Sequence, residues 1–456
     1  MMPKRKPQRH QYQCQQYQEN PMLTINDKFY SKEDFNEQKQ SYVSINTINQ
    51  SNAVAVCVED NFIWLTLCYY LKSKKISAMP IHPSVPKDTA KRMAEKAGCE
   101  LLIYGDLTGL IELSTTNLNK SEAGIIQMSS GTTGEPKCIL RSWADIDIEI
   151  KSYCQAFSEP DSMTPVIACP VTHSYGLICG VMVALNRGQS PLIISNINPK
   201  YLIKKLQSCQ RPLLYSSPVM LQGLLRLWPA NSKLFAAMTS GSTMPQQVFE
   251  QIQARVENLY QQYGCSEAGC ISIGQDLSAA NDQGKPLPHV EITCGNLDNK
   301  QQEIVAYVKT ASGTKTVKTQ DVGYLSENGR LHFLARMDDT IIVSGLNVYP
   351  AEVEDIILEH PQVNDVVVFK IDDQFAGQRV CLQYVASPAI NPAELRQWCS
   401  QHLALFQVPQ ILQPVDEIMR MANSKVNRKL IALNYQQNIL TRTNKSSEGK
   451  QAERAN

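Results

Sequence analysis

The 456-residue chain is too long for one compact core, so we expect it to form at least two domains. A hydrophobic content of 43% and a charged content of 19% are typical of globular proteins and exclude a disordered chain. The net charge of +1 provides no excess of positive charge for nucleic acid or an anionic membrane, which favours small or locally recognised partners.

The cysteines and the apolar runs indicate the compartment. None of the 14 cysteines forms a Cys-x-x-Cys pair, and most lie in apolar runs, as Cys57 and Cys169 do. This pattern is typical of buried free thiols in a reducing compartment, so we predict a cytoplasmic protein. The best apolar run, residues 62–71, is about half as long as the ~20 residues that span a bilayer, so we predict no transmembrane segment.

The two ends differ in composition from the rest of the chain. Residues 1–21 are rich in Gln and lack an apolar core, which excludes a secretory signal and predicts a disordered lead-in. The sequence leaves open whether translation starts at Met1 or at Met22. Residues 439–456 are polar and charged, and they predict a disordered tail.

Short apolar strands alternate with helices from Asn52 to the helix that Pro245 begins. The strands are expected at residues 52–58, 76–81, 100–105, 164–170, 190–195 and 211–217, and helices at 62–73, 87–98 and around 175–186. This alternation predicts parallel sheets that are covered by helices on both faces. A further helix is expected to begin at Pro199 with Asn198 as its cap.

The pattern changes near residue 300. Residues 303–310, 313–319 and 323–337 have the character of β-hairpins, with an Asn-Gly turn inside the last of them. Beyond Met337, a helix at 350–360, a strand at 363–371 and a helix at 391–403 indicate a compact α+β unit. We therefore predict a domain boundary near residues 336–339.

The segment MSSGTTGEPK, residues 128–137, combines hydroxyls, glycines and a lysine. These residue types suit a polyphosphate, because glycines let the backbone approach, hydroxyls donate hydrogen bonds and the lysine supplies charge. A Walker A loop is excluded, since Glu135 and Pro136 separate Gly134 from Lys137. The composition alone leaves a plain surface turn equally open.

Four further segments follow in a fixed order. They are QQYGCSEAG at 261–269, TQDVGYL at 319–325, LARMDDTIIVSGLNVYPAEVE at 334–354 and NSKVNRKL at 423–430. Each alone is explained by a core aromatic, a capping acid or a solvated lysine. Together with the Ser/Thr/Gly segment, their order and spacing resemble the acyl-adenylate-forming superfamily of acyl- and aryl-CoA ligases and peptide-synthetase adenylation domains, from about residue 22 to 435.

The resemblance implies a two-step reaction. A substrate carboxylate attacks the α-phosphate of ATP to give an acyl-adenylate and pyrophosphate, and a thiol then displaces AMP to give a thioester. The implied cofactors are ATP, Mg²⁺ and coenzyme A, or the phosphopantetheine of a carrier protein. The protein contributes mainly positioning and charge stabilisation.

The resemblance also implies a fold and its domains. The fold is α/β, with a large N-terminal domain of parallel sheets packed with helices plus a small β-barrel-like part, followed by a small mobile α+β domain. The adenylation domain would cover residues 22–336, the hinge 337–338 and the mobile C-terminal domain 339–438.

The resemblance assigns roles to individual residues. The β- and γ-phosphates would be held by Ser129, Ser130, Gly131, Thr132, Thr133, Gly134 and Lys137. The remaining nucleotide contacts would be Tyr263 on the adenine, Gly241 and Ser242 beside the base, Gly264 in the same segment as Tyr263, Ser266 at the α-phosphate, and Asp321 on the ribose hydroxyls with Arg336 nearby. Glu267 would bind Mg²⁺, and Lys425 would stabilise the charge that grows on the α-phosphate.

Three further positions are assigned by the same resemblance. His173 would gate between the acyl pocket and the thiol tunnel, Asp338 would be the hinge, and Gly345 would help to form the tunnel. Residues 169–177 contain no Asp of the kind that holds an amino group in amino-acid-activating members, which favours a fatty or aryl acid with an uncharged skeleton. Gln262, where many members have Gly, favours a small or aromatic acid, and Ser424 replaces the usual Gly before Lys425.

The sequence leaves several functions open. We expect a ligase that uses coenzyme A, and the first alternative is a ligase for an acyl carrier protein in a biosynthetic pathway. A non-catalytic nucleotide-binding protein of the same fold is the second alternative. A Walker-type ATPase would release ADP and phosphate rather than AMP and pyrophosphate.

Overall fold

The computed structural model describes residues 21–114, 122–129, 137–195, 198–242, 244–299, 302–343, 346–373, 377–421 and 426–438. Two sheets with their helices form the part before residue 337, and a smaller sheet with its helices forms the part after it. This arrangement confirms the predicted α/β class with a large N-terminal and a small C-terminal part.

Strands and helices alternate through much of the described chain. The strands are β1 (Pro21–Ile25), β2 (Lys28–Ser31), β3 (Ala53–Val58), β4 (Ser77–Pro80), β5 (Leu101–Gly105), β6 (Leu110–Glu112), β7 (Gly124–Ser129), β8 (Lys137–Ser142), β9 (Thr164–Ile167), β10 (Leu192–Ile193), β11 (Pro212–Ser216), β12 (Leu234–Thr239), β13 (Val256–Cys265), β14 (Gly269–Gly274), β15 (Asp282–Pro286), β16 (Val290–Thr293), β17 (Gln302–Thr310), β18 (Gly313–Leu325), β19 (Leu331–Arg336), β20 (Ile341–Val343), β21 (Leu346–Val348), β22 (Val363–Asp373), β23 (Gly377–Ala386) and β24 (Ile411–Pro414). The α-helices are α1 (Lys32–Ser41), α2 (Asn46–Gln50), α3 (Asn61–Ser73), α4 (Lys87–Lys96), α5 (Trp143–Ala156), α6 (Val183–Asn186), α7 (Pro199–Ser208), α8 (Pro218–Leu227), α9 (Gln246–Arg255), α10 (Pro350–Leu358) and α11 (Pro392–His402). A π-helix spans Tyr175–Met182, short 3-10 helices span Tyr42–Ser44 and Glu159–Ser162, and residues 428–438 are helical.

The six-stranded sheet has the order β6-β5-β3-β4-β7-β8. Its four central strands are parallel, and β6 and β8 are antiparallel additions at its edges. Every residue of β3 is buried, as expected for a parallel strand that is covered on both faces.

The 13-stranded sheet changes character along its length. Strands β13, β12, β11, β9, β10 and β1 run parallel, and strands β14 to β19 continue the sheet in antiparallel pairs. This antiparallel part contains the hairpins expected after residue 300, and Gly329 in the predicted Asn-Gly turn has a φ of +73°.

Local sequence signals explain several helix starts. Asn198 caps α7, since its Oδ1 accepts from the backbone N–H of Lys200 at 3.0 Å, as predicted. The expected helix around 175–186 is instead mainly a π-helix, and α6 covers only its last turn. The strand expected at 190–195 contains only Leu192 and Ile193.

The C-terminal part is built on a five-stranded sheet of order β21-β20-β23-β22, with β24 paired in parallel to β23. Its own apolar cores lie on the two faces of this sheet, one under α10 and α11 and the other under the helix at 428–438. Of the helices that the structure describes, none is long and apolar enough to span a membrane.

Candidate active site

Strand β13 and the paired antiparallel strands β18 and β19 of the same sheet bring Tyr263, Asp321 and Arg336 together. The β18–β19 register places Asp321 opposite Arg336, and Arg336 Nη1 lies 3.2 Å from Asp321 Oδ1. Tyr263 on β13 donates its hydroxyl to the other oxygen, Asp321 Oδ2, at 2.6 Å. Asp321 is 4% exposed and Tyr263 is 8% exposed. One buried carboxylate is therefore held between a phenol and a guanidinium.

The backbone around Asp321 is fixed by its neighbour. Thr319 Oγ1 accepts from the Asp321 backbone N–H at 3.2 Å and donates to the Ile304 carbonyl at 2.7 Å. Gln320 between them has a φ of +60°, a conformation that non-glycine residues seldom adopt. These contacts orient the Asp321 side chain towards Tyr263 and Arg336.

The burial and the charges around Asp321 keep the Tyr263 phenol and the Arg336 guanidinium protonated. Burial raises the pKa of Tyr263 well above its usual range, and the neighbouring Asp321 carboxylate raises it further. Burial alone would lower the pKa of Arg336, but the carboxylates of Asp321 and Asp338 outweigh it and raise this pKa. The phenol and the guanidinium therefore keep their protons and remain hydrogen-bond donors at neutral pH.

The turn after β13 carries Ser266 and Glu267, both half-buried. Gly264 is required just before it, because a Cβ there would lie 2.1 Å from the carbonyl oxygen of Gly269. Lys315 donates to the Glu267 carbonyl at 3.1 Å and ties the turn to β18. The turn is thus held against the same strand that carries Asp321.

Glu267 offers one carboxylate for a metal ion. Within the described part of the chain, no group of three or more His, Cys, Asp and Glu side chains could hold a metal by itself. A single carboxylate fits Mg²⁺, which keeps several waters and takes oxygens from a bound nucleotide. The donor set suits a magnesium ion that arrives with ATP.

The loop after β12 carries Gly241 and Ser242 and lies beside β13. Ser240 donates its hydroxyl to the Gln262 carbonyl at 3.1 Å, and Gly241 has a φ of +92°. The Gln262 side chain is buried, accepts from the Tyr153 hydroxyl at 2.9 Å and donates to Cys179 Sγ at 3.3 Å. His173 lies on a separate element, exposed at the turn before the π-helix, where its backbone N–H donates to the Pro170 carbonyl at 3.1 Å.

The ends of the predicted phosphate loop form a hairpin. Ser129 ends β7 and pairs with Lys137, which begins β8 and is exposed. The remaining loop residues fall outside the described ranges, as do two residues assigned to the C-terminal part: Ser130, Gly131, Thr132, Thr133, Gly134, Gly345 and Lys425. Their assigned roles stay predictions.

The predicted hinge residue contacts the site directly. Asp338 Oδ1 accepts from Arg336 Nε at 3.3 Å, and Asp338 Oδ2 lies 3.2 Å from Lys429 Nζ. Burial would raise the pKa of Asp338, but Arg336 and Lys429 outweigh it and hold this pKa below its usual value. Asp338 is therefore ionised at neutral pH and connects β19 to the helix at 428–438.

One buried ion pair behind the site was missed by the sequence reasoning. Arg141 on β8 contacts the carboxylate of Glu149 on α5, and both side chains are almost fully buried. Glu149 Oε1 also accepts from the backbone N–H of Cys270 at 2.8 Å, just after the turn that carries Glu267. The available signal was Glu149 at helical spacing among Ile146, Ile150 and Tyr153, since an acid on an apolar helix face needs a buried partner.

Two sequence families match the chain. The family described as "AMP-binding enzyme" matches residues 112–306, and "AMP-binding enzyme C-terminal domain" matches residues 352–425. The first match contains the elements that carry Tyr263 and Glu267.

Individual relatives carry names of acid–thiol ligases. The chain is 39% identical to the 3,4-dihydroxybenzoate–[aryl-carrier protein] ligase of Bacillus anthracis over 90% of this chain and 99% of that protein. It is 25% identical to the 2-succinylbenzoate–CoA ligase of Bacillus licheniformis over 68% of this chain and 70% of that protein.

Solved structures share the fold. ATP-bound MatB from Rhodopseudomonas palustris superposes with a TM-score of 0.78 at 18% identity, covering 92% of this chain and 96% of its own. The o-succinylbenzoate coenzyme A synthetase of Bacillus subtilis, in complex with ATP and magnesium, superposes with a TM-score of 0.77 at 19% identity, covering 90% of this chain and 96% of its own.

Proposed function

The chain belongs to the AMP-binding enzyme family and is an AMP-forming acid–thiol ligase, and from this premise we propose that it adenylates an aryl acid and transfers the acyl group to the phosphopantetheine thiol of a carrier protein. The observation that carries the nucleotide part is the buried Asp321 carboxylate between Tyr263 and Arg336. The observation that carries the acceptor is the 39% identity over almost the whole length of an aryl-carrier protein ligase.

Asp321 suits a ribose because a carboxylate has more acceptor sites than Tyr263 and Arg336 use. An ionised carboxylate offers about four lone-pair sites, so it can accept from ligand hydroxyls as well as from Tyr263 and Arg336. Hydrogen bonds to an ionised acceptor are stronger than neutral ones. A vicinal diol can donate two such bonds, whereas a single hydroxyl donates one, so the diol is favoured. We assign the ribose diol of ATP to Asp321, with the ring of Tyr263 beside the adenine.

The phosphate end of the nucleotide would follow the turn after β13. Ser266 would contact the α-phosphate, and Glu267 would hold Mg²⁺ against the phosphates. The loop between β7 and β8, with Lys137 at its end, would hold the β- and γ-phosphates that leave as pyrophosphate. Gly241 and Ser242 would flank the base.

The charge that grows on the α-phosphate needs a cation in the transition state. Adenylation converts a poor leaving group on the acid into a phosphate leaving group, and the protein assists by placing positive charge at the reacting phosphate. We assign this task to Lys425. His173 would separate the acyl site from the path by which the thiol enters, with Asp338 as the hinge and Gly345 on the thiol side.

An aryl acid fits the side chains beside Tyr263. Gln262, Tyr153 and Cys179 fill the space behind β13 with a hydrogen-bonded buried group, which leaves less length for a fatty chain than a glycine would. The residues around His173 contain no Asp that would select an α-amino group. The relative from Bacillus anthracis carries an aryl acid in its name, which agrees with this assignment.

We prefer a carrier protein to coenzyme A as the acceptor, because the chain is similar to the carrier-protein ligase over a greater length and at a higher identity than to the CoA ligase. The aryl-carrier protein ligase matches 99% of its own length at 39% identity, whereas the CoA ligase of Bacillus licheniformis matches 70% of its length at 25% identity. Both acceptors end in the same phosphopantetheine thiol, so the chemistry of the site serves either.

The thirteen described cysteines are free thiols, and we propose a reducing cytoplasmic location.

The test is a two-stage assay with the full-length protein. ATP–pyrophosphate exchange is measured with benzoates that carry hydroxyls at different positions, with 2-succinylbenzoate and with fatty acids. The best acid is then offered with ATP to coenzyme A and, separately, to a phosphopantetheinylated aryl carrier protein. We expect exchange with a hydroxybenzoate and thioester formation on the carrier.

The alternatives give different results. Thioester formation on coenzyme A at a higher kcat/KM than on the carrier would replace the proposed acceptor. Exchange with fatty acids alone would replace the proposed acid. No exchange with any acid, together with measurable ATP binding, would favour a non-catalytic nucleotide-binding protein.

A further inference from the structure

A chain of four charged side chains connects the nucleotide position to the C-terminal part. Asp321 contacts Arg336 at 3.2 Å, Arg336 contacts Asp338 at 3.3 Å, and Asp338 contacts Lys429 at 3.2 Å. We call these four residues the charge chain. It begins on a strand of the 13-stranded sheet and ends on the helix at 428–438.

Arg336 can serve two carboxylates because its guanidinium is a rigid planar fork. Nη1 faces Asp321 and Nε faces Asp338, so one side chain spans the two acids. Asp338 divides its oxygens in the same way, with Oδ1 towards Arg336 and Oδ2 towards Lys429. While these contacts are formed, Arg336 and Asp338 link the position of Lys429 to that of Asp321.

The helix that carries Lys429 is firmly attached to the C-terminal part. Arg428 donates through Nη2 to both oxygens of Glu354 at 2.8 Å and through Nε to the Val368 carbonyl at 2.9 Å. Its Nη1 also lies 3.4 Å from Asp339. Because Arg428 and Glu354 are largely buried, the start of this helix moves together with α10 and β22.

We propose that Lys429 is a positioning residue for adenylation: through Asp338 and Arg336 it holds the C-terminal part in register with the nucleotide bound at Asp321. This inference rests on the proposed function, which assigns Asp321 to the ribose. Lys425, the assigned catalytic cation, precedes Lys429 by four residues in the sequence.

The charge chain is buried at the Asp321 end and half-exposed at the Lys429 end. The exposed side-chain fractions, in chain order, are 6% for Asp321, 42% for Arg336, 27% for Asp338 and 49% for Lys429. A half-exposed ion pair contributes little to folding and exchanges readily with water. Such a contact suits a link that forms for one half-reaction and opens for the next.

The experiment measures the two half-reactions separately in the full-length protein. Adenylation is followed by ATP–pyrophosphate exchange with the best acid of the panel, and thioester formation is followed from the purified acyl-adenylate. We expect Lys429→Ala to lower the kcat of exchange about fivefold, a size within reach of a half-exposed ion pair. If the pair forms for adenylation only, as we propose, thioester formation should change by less than about twofold.

Three controls separate positioning from a general loss of structure. Lys309 on β17 is a lysine of similar exposure, and its Nζ lies 3.7 Å from the carboxylate of Glu291 on β16. Lys309→Ala should leave both half-reactions unchanged. Lys429→Arg keeps the cation and should restore exchange. Lys429→Ala in an Asp338→Asn background should have no further effect, since the lysine acts through that carboxylate.

A nucleotide analogue tests the connection to Asp321. With 2′,3′-dideoxy-ATP, which has no diol for Asp321, the effect of Lys429→Ala should fall to less than about twofold if the charge chain couples the two ends. Equal rates for Lys429→Ala and Lys309→Ala, or equal losses in both half-reactions, would overturn the inference while leaving the proposed function intact. No exchange by the wild-type protein with any acid would overturn both.

Discussion

Two ion pairs near the candidate site differ in burial. The pair of Arg141 and Glu149 behind the Glu267 turn is at most 6% exposed, whereas Asp338 and Lys429 at the hinge are 27% and 49% exposed. Breaking the first leaves a charge in the protein interior, and breaking the second lets water replace each partner. The buried pair therefore suits a fixed scaffold, and the half-exposed pair suits a contact that has to form and open.

The largest expected effect comes from the buried pair. Glu149→Gln keeps the shape but leaves Arg141 without its counter-charge, so we expect the free energy of unfolding to fall by about 3–5 kcal/mol. Urea denaturation of the full-length protein measures it. The matched control, Glu291→Gln in the exposed pair with Lys309, should change the unfolding free energy by less than about 1 kcal/mol. Similar small losses in both variants would remove the distinction between a scaffold pair and a surface pair.

The next effect concerns Asp321. Asp321→Asn keeps the size of the side chain but removes the charge that strengthens the hydrogen bonds to the ribose and to Tyr263. Since a hydrogen bond to a charged group contributes about 1.5–3 kcal/mol, we expect kcat/KM for ATP to fall by about 10- to 100-fold. Exchange assays with varied ATP measure this loss, and Asp298→Asn on an exposed loop is the control. An unchanged kcat/KM for ATP would contradict the ribose assignment.

A smaller effect is expected from a substitution at Tyr263 that separates the contribution of the ring from that of the hydroxyl. Tyr263→Phe keeps the aromatic surface but removes the 2.6 Å hydrogen bond that holds Asp321. This bond positions Asp321 and does not itself contact ATP, so only about 1 kcal/mol of its contribution should reach kcat/KM for ATP, which should fall about fivefold. Tyr307→Phe on β17 provides the control. A loss as large as that of Asp321→Asn would show that the hydroxyl, and not the carboxylate, makes the main contact.

The sequence predicted the elements of the site better than their contacts. The order of the motifs located Tyr263, Asp321 and Arg336, and strand pairing then brought them together because Asp321 lies opposite Arg336 in the β18–β19 register. A register between distant strands is set by the whole sheet, so the hydrogen bond from Tyr263 could not be derived from local patterns.

Local sequence patterns also could not predict that Arg141 and Glu149 form a buried ion pair. Arg141 and Glu149 are eight residues apart on different elements, and their contact depends on how α5 packs against β8. Residues 176–182 of the π-helix at Tyr175–Met182 are all buried, so the sequence there has no apolar period that could distinguish a π-helix from an α-helix. Fold class follows from periodicity, whereas the pairing of buried charges follows from tertiary packing.

The smallest predicted effect concerns pH and a second contact of the C-terminal part. Asp355 on α10 accepts from the backbone N–H of Gln246 at 2.9 Å and so caps α9, whose own cap position is Pro245.

Burial raises the pKa of Asp355 to about 6, and Glu354, Glu352 and Glu359 add to this, although the Gln246 N–H lowers it. This pKa is higher than that of an exposed carboxyl, so the state in which α10 contacts α9 binds more protons than the state in which Asp355 is exposed. The contact between α10 and α9 therefore weakens as the pH rises towards and past 6.

Asp355→Asn keeps an amide oxygen as acceptor but removes the ionisation, so the variant should be more stable than the wild type at pH 8. A shift of about two pKa units represents ~3 kcal/mol, of which we expect about 1 kcal/mol because Asp355 is only partly buried and water screens its charge. The difference should shrink through pH 6 and vanish near pH 4, where the wild-type carboxyl is protonated as well. Thermal denaturation between pH 4 and 8 measures it, with Glu394→Gln at an exposed position of α11 as control. A wild type that gains stability over the variant with rising pH would mean that the capping charge at the start of α9 outweighs the burial of Asp355.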